Sequence, residues 1–213
     1  MGGLFVVFEG PEGAGKSTQV ARLAAHLTES GTDVVATREP GGSEIGESIR
    51  SILLAPDGRA MLPETEALLY AAARAQHVGE LIQPALERGA VVLCDRFVDS
   101  SLAYQSGGLG LPMADVEAIQ PLATRGIEPD LRILLDLPVE VGLSRRLREA
   151  TEVNRLDMAG VAFHRRVRSA YLALAVARPD RWVVLDATAP PDRLGALIAK
   201  VVERMIGRNG FGR

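Results

Sequence analysis

The chain has 213 residues, a formal net charge of −3 and an apolar fraction of 47%, which is enough to bury one sizeable core. Without a basic excess, few cations are available to replace the counterions of a nucleic acid, so the composition argues against that class of partner. The single cysteine, Cys94, excludes an internal disulfide and fits a reducing compartment. No apolar run approaches about 18 residues, the minimum for a membrane span. We therefore expect one domain over residues 1–213, located in the cytoplasm.

Five apolar runs predict β-strands, because they are continuous stretches of Val, Leu and Ile instead of alternating ones. These runs cover residues 4–9, 33–37, 90–95, 131–137 and 181–186. Helical patterns lie between them, at residues 16–30, 43–55, 63–88, 112–124, 139–149, 159–177 and 190–207. This alternation predicts an α/β fold of three layers, in which a five-stranded parallel sheet is flanked by helices on both faces.

Two of the helical segments carry additional features. Residues 63–88 form a long helical pattern that Pro84 interrupts, and we expect a bend there. Residues 145–158 are rich in arginine and lack apolar periodicity, which indicates a mobile, charged lid segment. A solvated helical turn is the alternative interpretation of these residues.

The stretch GPEGAGKST has the spacing G-x-x-x-x-G-K-[ST] and follows the first predicted strand, which indicates a loop that binds a nucleoside triphosphate. Its glycines allow a tight turn in which successive N–H groups point at an anion. Lys16, one of only two lysines in the chain, would reach the terminal phosphates, and the Ser17 hydroxyl would bind Mg²⁺. The predicted loop residues are Gly10, Pro11, Glu12, Gly13, Ala14, Gly15, Lys16, Ser17 and Thr18.

Glu12 places a carboxylate inside this loop, which is unfavourable beside phosphates unless a cation or a hydroxyl donor compensates for it. We expect Glu12 to hold Mg²⁺-bound water or a sugar hydroxyl of an acceptor molecule. A solvated loop acid is the alternative.

Polar residues follow two further predicted strands and would therefore face the crevice at the carboxyl ends of the sheet. Arg38, in TREPGG, has a planar guanidinium suited to a second phosphate group, and Pro40 fixes the following turn, through a cis or a trans bond. Asp95 occupies the position of an acid that faces Mg²⁺ across from the phosphate loop, and Arg96 beside it supplies another cation.

Two groups of side chains are suited to binding a base or a sugar. Tyr70 and Arg74 are four residues apart on a predicted helix, so an aromatic ring and a guanidinium share one face. The segment that follows Arg96 contributes polar groups at Ser100, Ser101, Tyr104 and Gln105. For both groups an ordinary helix surface or a core position is the alternative.

The combination of FEGPEGAGKST, TREPGG, LLYAAARAQH, DRFVDSSLAYQSGGLGLP and PDLRILLDLP resembles the thymidylate kinase family in order and spacing, over about residues 4–190. The resemblance implies the fold of a P-loop nucleoside monophosphate kinase, ATP as co-substrate, Mg²⁺, a homodimer, and transfer of a phosphoryl group to dTMP. The residues that it assigns to dTMP are Glu12, Arg38, Tyr70, Arg74, Arg96, Ser101, Tyr104 and Gln105. It places Tyr70 on the thymine ring, Arg74 at its O4 and Tyr104 beside the sugar.

One departure within the family pattern bears on the catalytic residues. Position 13 holds an arginine in one branch of the family, and here it is glycine. The resemblance therefore implies the other branch, in which arginines of the lid stabilise the transferred group. Arg155 matches the lid motif best and Arg148 is second, so the implied catalytic set is Glu12, Lys16, Arg38, Arg96 and Arg155.

Other functional classes remain open from the residues alone. A GTPase switch or a motor ATPase would share the phosphate loop, although the sequence has no N-K-x-D motif. A kinase for a deoxynucleoside, shikimate or another nucleotide is a nearer alternative, but Arg38 and Arg96 would be surplus unless the acceptor carries a phosphate. A non-catalytic homologue is the third possibility.

Overall fold

The computed structural model of the chain describes residues 2–55, 61–149, 156 and 158–209. A parallel sheet of five strands lies at its centre, with the strand order β2-β3-β1-β4-β5. The strands are β1 (Leu4–Glu9), β2 (Val34–Arg38), β3 (Val91–Asp95), β4 (Leu131–Asp136) and β5 (Trp182–Asp186). The predicted α/β fold with a five-stranded parallel sheet is thus confirmed.

Helices cover both faces of the sheet, as its apolar strands require. They are α1 (Lys16–Glu29), α2 (Glu44–Leu54), α3 (Pro63–His77), α4 (Gln83–Glu87), α5 (Val98–Ser101), α6 (Met113–Ala118), α7 (Gln120–Thr124), α8 (Val139–Glu149), α9 (Val161–Ala177) and α10 (Pro191–Asn209). Within the described part of the chain, none of the helices combines the length and apolarity that crossing a bilayer requires.

The central strand β1 is buried along its whole length because it contributes to two cores. Successive side chains of a strand point to opposite faces. Val6 and Phe8 therefore join a cluster with α1 and α10, whereas Phe5 and Val7 join one that includes Ile82. Burial on both faces explains why this strand is a continuous apolar run in the sequence.

The carboxyl ends of the parallel strands meet at one edge of the sheet, and each strand ends in a charged residue. These residues are Glu9, Arg38, Asp95, Asp136 and Asp186. Charges are tolerated there because the strands leave the apolar core at this edge, and ligands of open α/β sheets bind in the crevice outside it. The sheet therefore fixes where a binding site is expected.

The long helical segment of residues 63–88 contains a π-helical turn at Val78–Ile82 between α3 and α4. Proline cannot donate the usual helical hydrogen bond and its ring crowds the preceding turn. A wider turn just before Pro84 accommodates both effects, so the predicted interruption takes the form of a π turn. A second π turn, Leu102–Gly108, continues α5.

Two element boundaries differ from those predicted. Residues 112–124 form two short helices, α6 and α7, because Pro121 lies in the first turn of α7, where a proline starts a helix. The polar segment after β3, which was not among the predicted helical patterns, is itself helical from Val98 to Gly108.

Candidate active site

The phosphate loop joins β1 to α1 and folds back on itself around Lys16. Gly15, which precedes the helix, has a φ of 85°, a conformation that residues with a side chain rarely adopt. The ammonium of Lys16 donates hydrogen bonds to the carbonyls of Gly10 at 3.0 Å and Pro11 at 2.9 Å. Burial, and next the charge of Arg96, lowers the pKa of Lys16 from 10.5 to about 8. An incoming phosphate would favour the charged form of this amine.

The two predicted metal ligands lie next to each other. The Ser17 hydroxyl donates to Asp95 Oδ2 at 2.5 Å, across the gap between the loop and the end of β3. Asp95 Oδ1 is buried, and no hydrogen bond among the described residues reaches it. A hydroxyl beside a carboxylate with a vacant oxygen fits Mg²⁺, which binds through one or two protein oxygens together with substrate phosphates.

Arg96 lies between the phosphate loop and the acceptor side of the crevice. Its φ of 73° is unusual for a residue with a side chain and costs about 1–3 kcal/mol, so the surrounding structure must hold it. The guanidinium donates to groups of the loop and of the helices opposite. Its acceptors are the Gly10 carbonyl, the Glu12 carboxylate and the hydroxyls of Ser100, Tyr104 and Tyr171.

Glu12 is tied to the acceptor side by two of these groups. Its carboxylate oxygen Oε1 lies 2.7 Å from Arg96 Nη2 and accepts a hydrogen bond from the Tyr104 hydroxyl at 2.9 Å. Burial acts to raise the pKa of Glu12, but the charges of Arg96 and Lys16 outweigh it and lower the pKa to about 2. Glu12 is therefore an anion throughout the physiological range, and it is not a solvated loop acid.

A second carboxylate, Glu9, is completely buried behind Arg96. One of its oxygens accepts hydrogen bonds from the backbone N–H groups of Phe97 and Ser100, at 2.9 and 3.2 Å. The other oxygen bonds to the hydroxyls of Ser100 at 2.6 Å and Tyr171 at 2.9 Å. Since both hydroxyls also contact Arg96, Glu9 supports the guanidinium from behind.

A cavity opens between the phosphate loop, α2, α3 and the segment that begins with α5. Six of the predicted acceptor residues line it: Glu12, Tyr70, Arg96, Ser101, Tyr104 and Gln105. Residues that were not predicted also line it, among them Arg50 and Leu54 of α2. Arg50 Nη1 donates to the Pro40 carbonyl at 2.8 Å, and the Glu39–Pro40 peptide bond is cis.

Arg74 is buried behind this cavity. Its guanidinium donates to Glu39 at 2.8 Å, to Gln120 at 2.6 Å, and to Ser101 Oγ at 3.2 Å. The bond to Ser101 connects Arg74 to the cavity wall. Direct contact between Arg74 and a base stays a prediction.

Arg38 lies at the rim of the crevice. Its guanidinium pairs with Glu47 of α2 at 2.9 Å, and about half of the side chain is exposed (49%). Arg38 is absent from the residues that line the cavity, where Arg50 is found instead. Contact between Arg38 and an acceptor phosphate therefore stays a prediction, whereas Arg50 already lies in the cavity.

Of the two predicted lid arginines, Arg148 belongs to the described part of the chain. Arg155 lies outside the described residues, as do most of residues 150–157. Arg148 is exposed at the end of α8 and donates a hydrogen bond to Ser144 Oγ at 2.8 Å, one helical turn earlier. The choice between the two arginines stays a prediction.

Sequence reasoning missed Glu9 and Arg50, although each leaves a signal in the sequence. Glu9 is the one acid in an otherwise apolar buried strand, immediately before the phosphate loop. Arg50 and Leu54 are four residues apart, so this arginine shares a helix face with an apolar residue. A charge on an apolar face indicates either a buried pair or a ligand site.

A strand–loop–helix phosphate cradle, an acid on the neighbouring strand and a separate cation-lined acceptor cavity together define a P-loop phosphotransferase of the nucleoside monophosphate kinase class. The sequence matches the profile of the family described as thymidylate kinase over residues 8–198. A thymidylate kinase of Thermomicrobium roseum is 55% identical over 204 residues, covering 94% of this chain and 96% of the relative. The chain belongs to the thymidylate kinase family.

Further relatives agree with this assignment. A thymidylate kinase of Geotalea uraniireducens is 50% identical over 205 residues, covering 94% of this chain and 96% of the relative. The crystal structure of thymidylate kinase from Ehrlichia chaffeensis matches with a TM-score of 0.76 at 30% identity, covering 95% of this chain and 99% of that chain. The resemblance found in the sequence motifs is thus confirmed.

Replacing Glu9 by glutamine is expected to make the protein relatively more stable as the pH rises. Burial and the nearby Asp99 carboxylate raise the pKa of Glu9 from its ordinary 4.5 to about 7. Between these values the folded protein keeps a proton that the unfolded chain releases, so the free energy of unfolding falls with increasing pH. Glu9→Gln removes this loss, and its stability relative to the parent should increase by about 1–3 kcal/mol from pH 4.5 to 7.5.

Urea denaturation at a series of pH values measures this difference. Glutamine can keep the hydrogen bonds, because its oxygen can accept from the two N–H groups and its amide can donate to the two hydroxyls. Glu12 does not interfere, since its pKa of about 2 lies below the window. A stability difference that is independent of pH would contradict the assignment of a raised pKa to Glu9.

Proposed function

We propose that the protein transfers the γ-phosphoryl group of ATP to the phosphate of dTMP, forming dTDP and ADP, a step of dTTP biosynthesis. The observation that carries this proposal is the cavity beside the phosphate loop, which Arg50 and Arg96 line together with Tyr70. Two guanidinium groups suit an acceptor that carries a phosphate, and an aromatic ring suits a base. Membership of the thymidylate kinase family argues for the same acceptor and against a switch or a motor.

The reaction needs charge neutralisation more than it needs a base, because the attacking group is already an anion. The donor and acceptor phosphates repel each other, and cations on both sides offset that repulsion. Lys16 supplies a cation on the donor side, while Arg96 and Arg50 supply cations on the acceptor side. Arg96 is positioned for this before substrate arrives, since Glu9, Ser100 and Tyr171 support it.

Ser17 and Asp95 are the residues that would hold Mg²⁺. Mg²⁺ held by these residues would supply positive charge beside the donor phosphates. The short contact between the two side chains and the buried, vacant Oδ1 of Asp95 support this assignment.

Recognition of the nucleoside would fall to the side chains deeper in the cavity. We assign the face of thymine to Tyr70, its polar edge to Ser101 and Gln105, and the sugar to Tyr104. Ser101 is backed by the buried Arg74, and Gln105 donates to the buried Glu66 at 2.9 Å. Because these bonds orient the two side chains, a base of different shape would not match the donors and acceptors that they still present to the cavity.

A panel of acceptors tests the substrate assignment. ADP release should be fast with dTMP, slower with dUMP, and at background level with dCMP, AMP and thymidine. Thymidine is the most informative comparison, because it has the base and the sugar but lacks the phosphate that Arg50 and Arg96 would bind. Fast turnover of any acceptor other than dTMP, or ADP release that needs no acceptor, would overturn the proposal; chelation of Mg²⁺ should abolish turnover.

We assign the arginine that stabilises the transferred group to Arg155, with Arg148 as the comparison. Arg155→Ala is expected to lower kcat by about 10³–10⁵-fold with little change in KM for dTMP, since the interaction would form in the transition state. Arg148→Ala should have a smaller effect, because Arg148 is engaged by Ser144. Steady-state kinetics of the two variants decides between them. A change confined to KM would remove Arg155 from the catalytic role.

We also propose that the protein is a homodimer. Exposed apolar side chains are found on neighbouring helices, with Ile45 (53%) and Ile52 (41%) seven residues apart on α2 and Leu68 (58%) on α3. Helix α2 packs against α3, so the two helices that carry these side chains are adjacent. Apolar residues grouped in this way are typical of an interface between protein chains.

The double variant Ile52→Glu/Leu68→Glu is expected to sediment as a monomer, because it places charges in the apolar patch. Val176→Glu is a matched control, since Val176 on α9 is exposed to a similar or greater degree (79%) but lies on another helix. Analytical ultracentrifugation of both variants and the parent provides the measurement. A monomeric parent, or a double variant that stays dimeric, would contradict this interface.

The expected location is the cytoplasm. The described free thiol, that of Cys94, is buried, and burial raises its pKa well above the ordinary value. Such a thiol is inert, which fits a small apolar core residue. Fractionation of cells that produce the protein checks the location.

A further inference from the structure

The backbone of the phosphate loop contacts the backbone of α8 without room for a side chain on either. A Cβ atom added to Gly13 would lie 2.1 Å from the carbonyl oxygen of Gly142. A Cβ atom added to Gly142 would lie 2.2 Å from the carbonyl oxygen of Glu12. Both obstructing atoms belong to the backbone, so no side-chain rotation can relieve the contact. The two segments must separate if either glycine gains a side chain.

Helix α8 is also held at a second point. Its Arg145 Nη1 donates a hydrogen bond to the carbonyl of Ala187, in the loop after β5, at 3.0 Å. Gly142 lies in the first turns of the helix, where its N–H group donates to the Pro138 carbonyl at 3.0 Å. Arg148 follows six residues later, about 9 Å further along the helix axis. The contact at Gly142 therefore sets the distance between the phosphate loop and the arginine-bearing part of α8.

The contact also reaches the acceptor cavity, because the peptide of Glu12 is the part of the loop that Gly142 touches. The side chain of the same residue bonds to Arg96 at 2.7 Å and to the Tyr104 hydroxyl at 2.9 Å. A shift of this peptide would move the carboxylate that holds both groups. One backbone contact thus links α8, the phosphate loop and the acceptor side.

We propose that Gly142 is a positioning residue for phosphoryl transfer. Its contact with the Glu12–Gly13 peptide holds helix α8 and the Glu12 carboxylate at fixed positions relative to the donor and acceptor phosphates. The proposal rests on the proposed function and adds a residue to it. It also explains the glycine at position 13 physically. An arginine there would collide with Gly142, so a cation for the transferred group has to come from another part of the chain.

Gly142→Ala provides the test, with Gly207→Ala as the matched control. Gly207 lies in helix α10 with no atom within 4 Å of the added Cβ, so the control makes the same change of residue in an unobstructed helix. Gly142→Ala is expected to lower kcat by about 10- to 100-fold, because small misplacements of reacting groups have effects of this size. Gly207→Ala should leave kcat unchanged. Turnover of dTMP by the parent is measured first, so that failure of the proposed function is recognised separately.

The route through Glu12 is tested by a double-mutant cycle with Glu12→Gln. If Gly142 acts through Glu12, the effects of the two substitutions on kcat are not additive, and the double variant is little worse than Glu12→Gln alone. A role confined to stability would leave kcat of the folded enzyme unchanged, and a catalytic role independent of Glu12 would give additive effects. Additive effects, an unchanged kcat in a folded Gly142→Ala, or a Gly142→Ala chain that no longer folds by circular dichroism would each overturn the proposal. If Gly142→Ala does not fold, the glycine is required for folding and not for positioning the reacting groups.

Discussion

Arg96 lies where the phosphate loop meets the acceptor cavity, and its guanidinium donates hydrogen bonds to groups on both sides. The carbonyl of Gly10 and the carboxylate of Glu12 belong to the loop, whereas Ser100, Tyr104 and Tyr171 belong to the helices opposite. These contacts also hold the residue in its left-handed backbone conformation. Under the proposed function, the separation between donor and acceptor phosphates would depend on this one largely enclosed side chain, and the parallel sheet fixes the position of its Cα directly after β3.

Two carboxylates close to Arg96 differ in charge state because their environments differ. Glu12 faces Arg96 and Lys16 directly, and its pKa is lowered to about 2. Glu9 is buried further back, near Asp99, and its pKa is raised to about 7. Separation of the pKa values of neighbouring acids is typical of catalytic sites. Here Glu12 carries a permanent negative charge that faces the acceptor side, whereas Glu9 can take up a proton and supports the Arg96 guanidinium through its hydrogen-bond partners.

Much of the fold could be predicted from the sequence. Strands that are apolar on both faces must be covered on both faces, and the helical patterns between them indicate a parallel sheet covered by helices. The phosphate loop was equally predictable, since the residues that form it are nine consecutive ones, residues 10–18. The acceptor cavity was harder, because its residues come from distant elements. Arg50 was missed since its role depends on how α2 packs against α3, and Arg38 was preferred for its place at a strand end.

The glycines reveal another limit of sequence reasoning. Gly13 could be recognised as a departure from one branch of the family, but its partner could not, because Gly142 lies more than a hundred residues away and looks like an ordinary helical glycine. The close approach of two backbones leaves no polar or apolar pattern in a sequence. The assignment of the transfer-stabilising arginine to Arg155 stays a prediction, because Arg155 lies outside the described part of the chain.

The scarcity of lysine gives the protein an unusual chemical property. Lys16 and Lys200 carry the two side-chain amines of the chain, one buried under the phosphate loop and the other exposed on α10. Burial lowers the pKa of the Lys16 amine to about 8, but the same burial and its bonds to the carbonyls of Gly10 and Pro11 shield it from reagents in solution. Acylation at Lys16, referred to acylation at the exposed Lys200 in the same molecule, would therefore report opening of the phosphate loop. This internal standard follows from a composition in which arginine supplies 22 of the 24 basic side chains (24 less the two lysines).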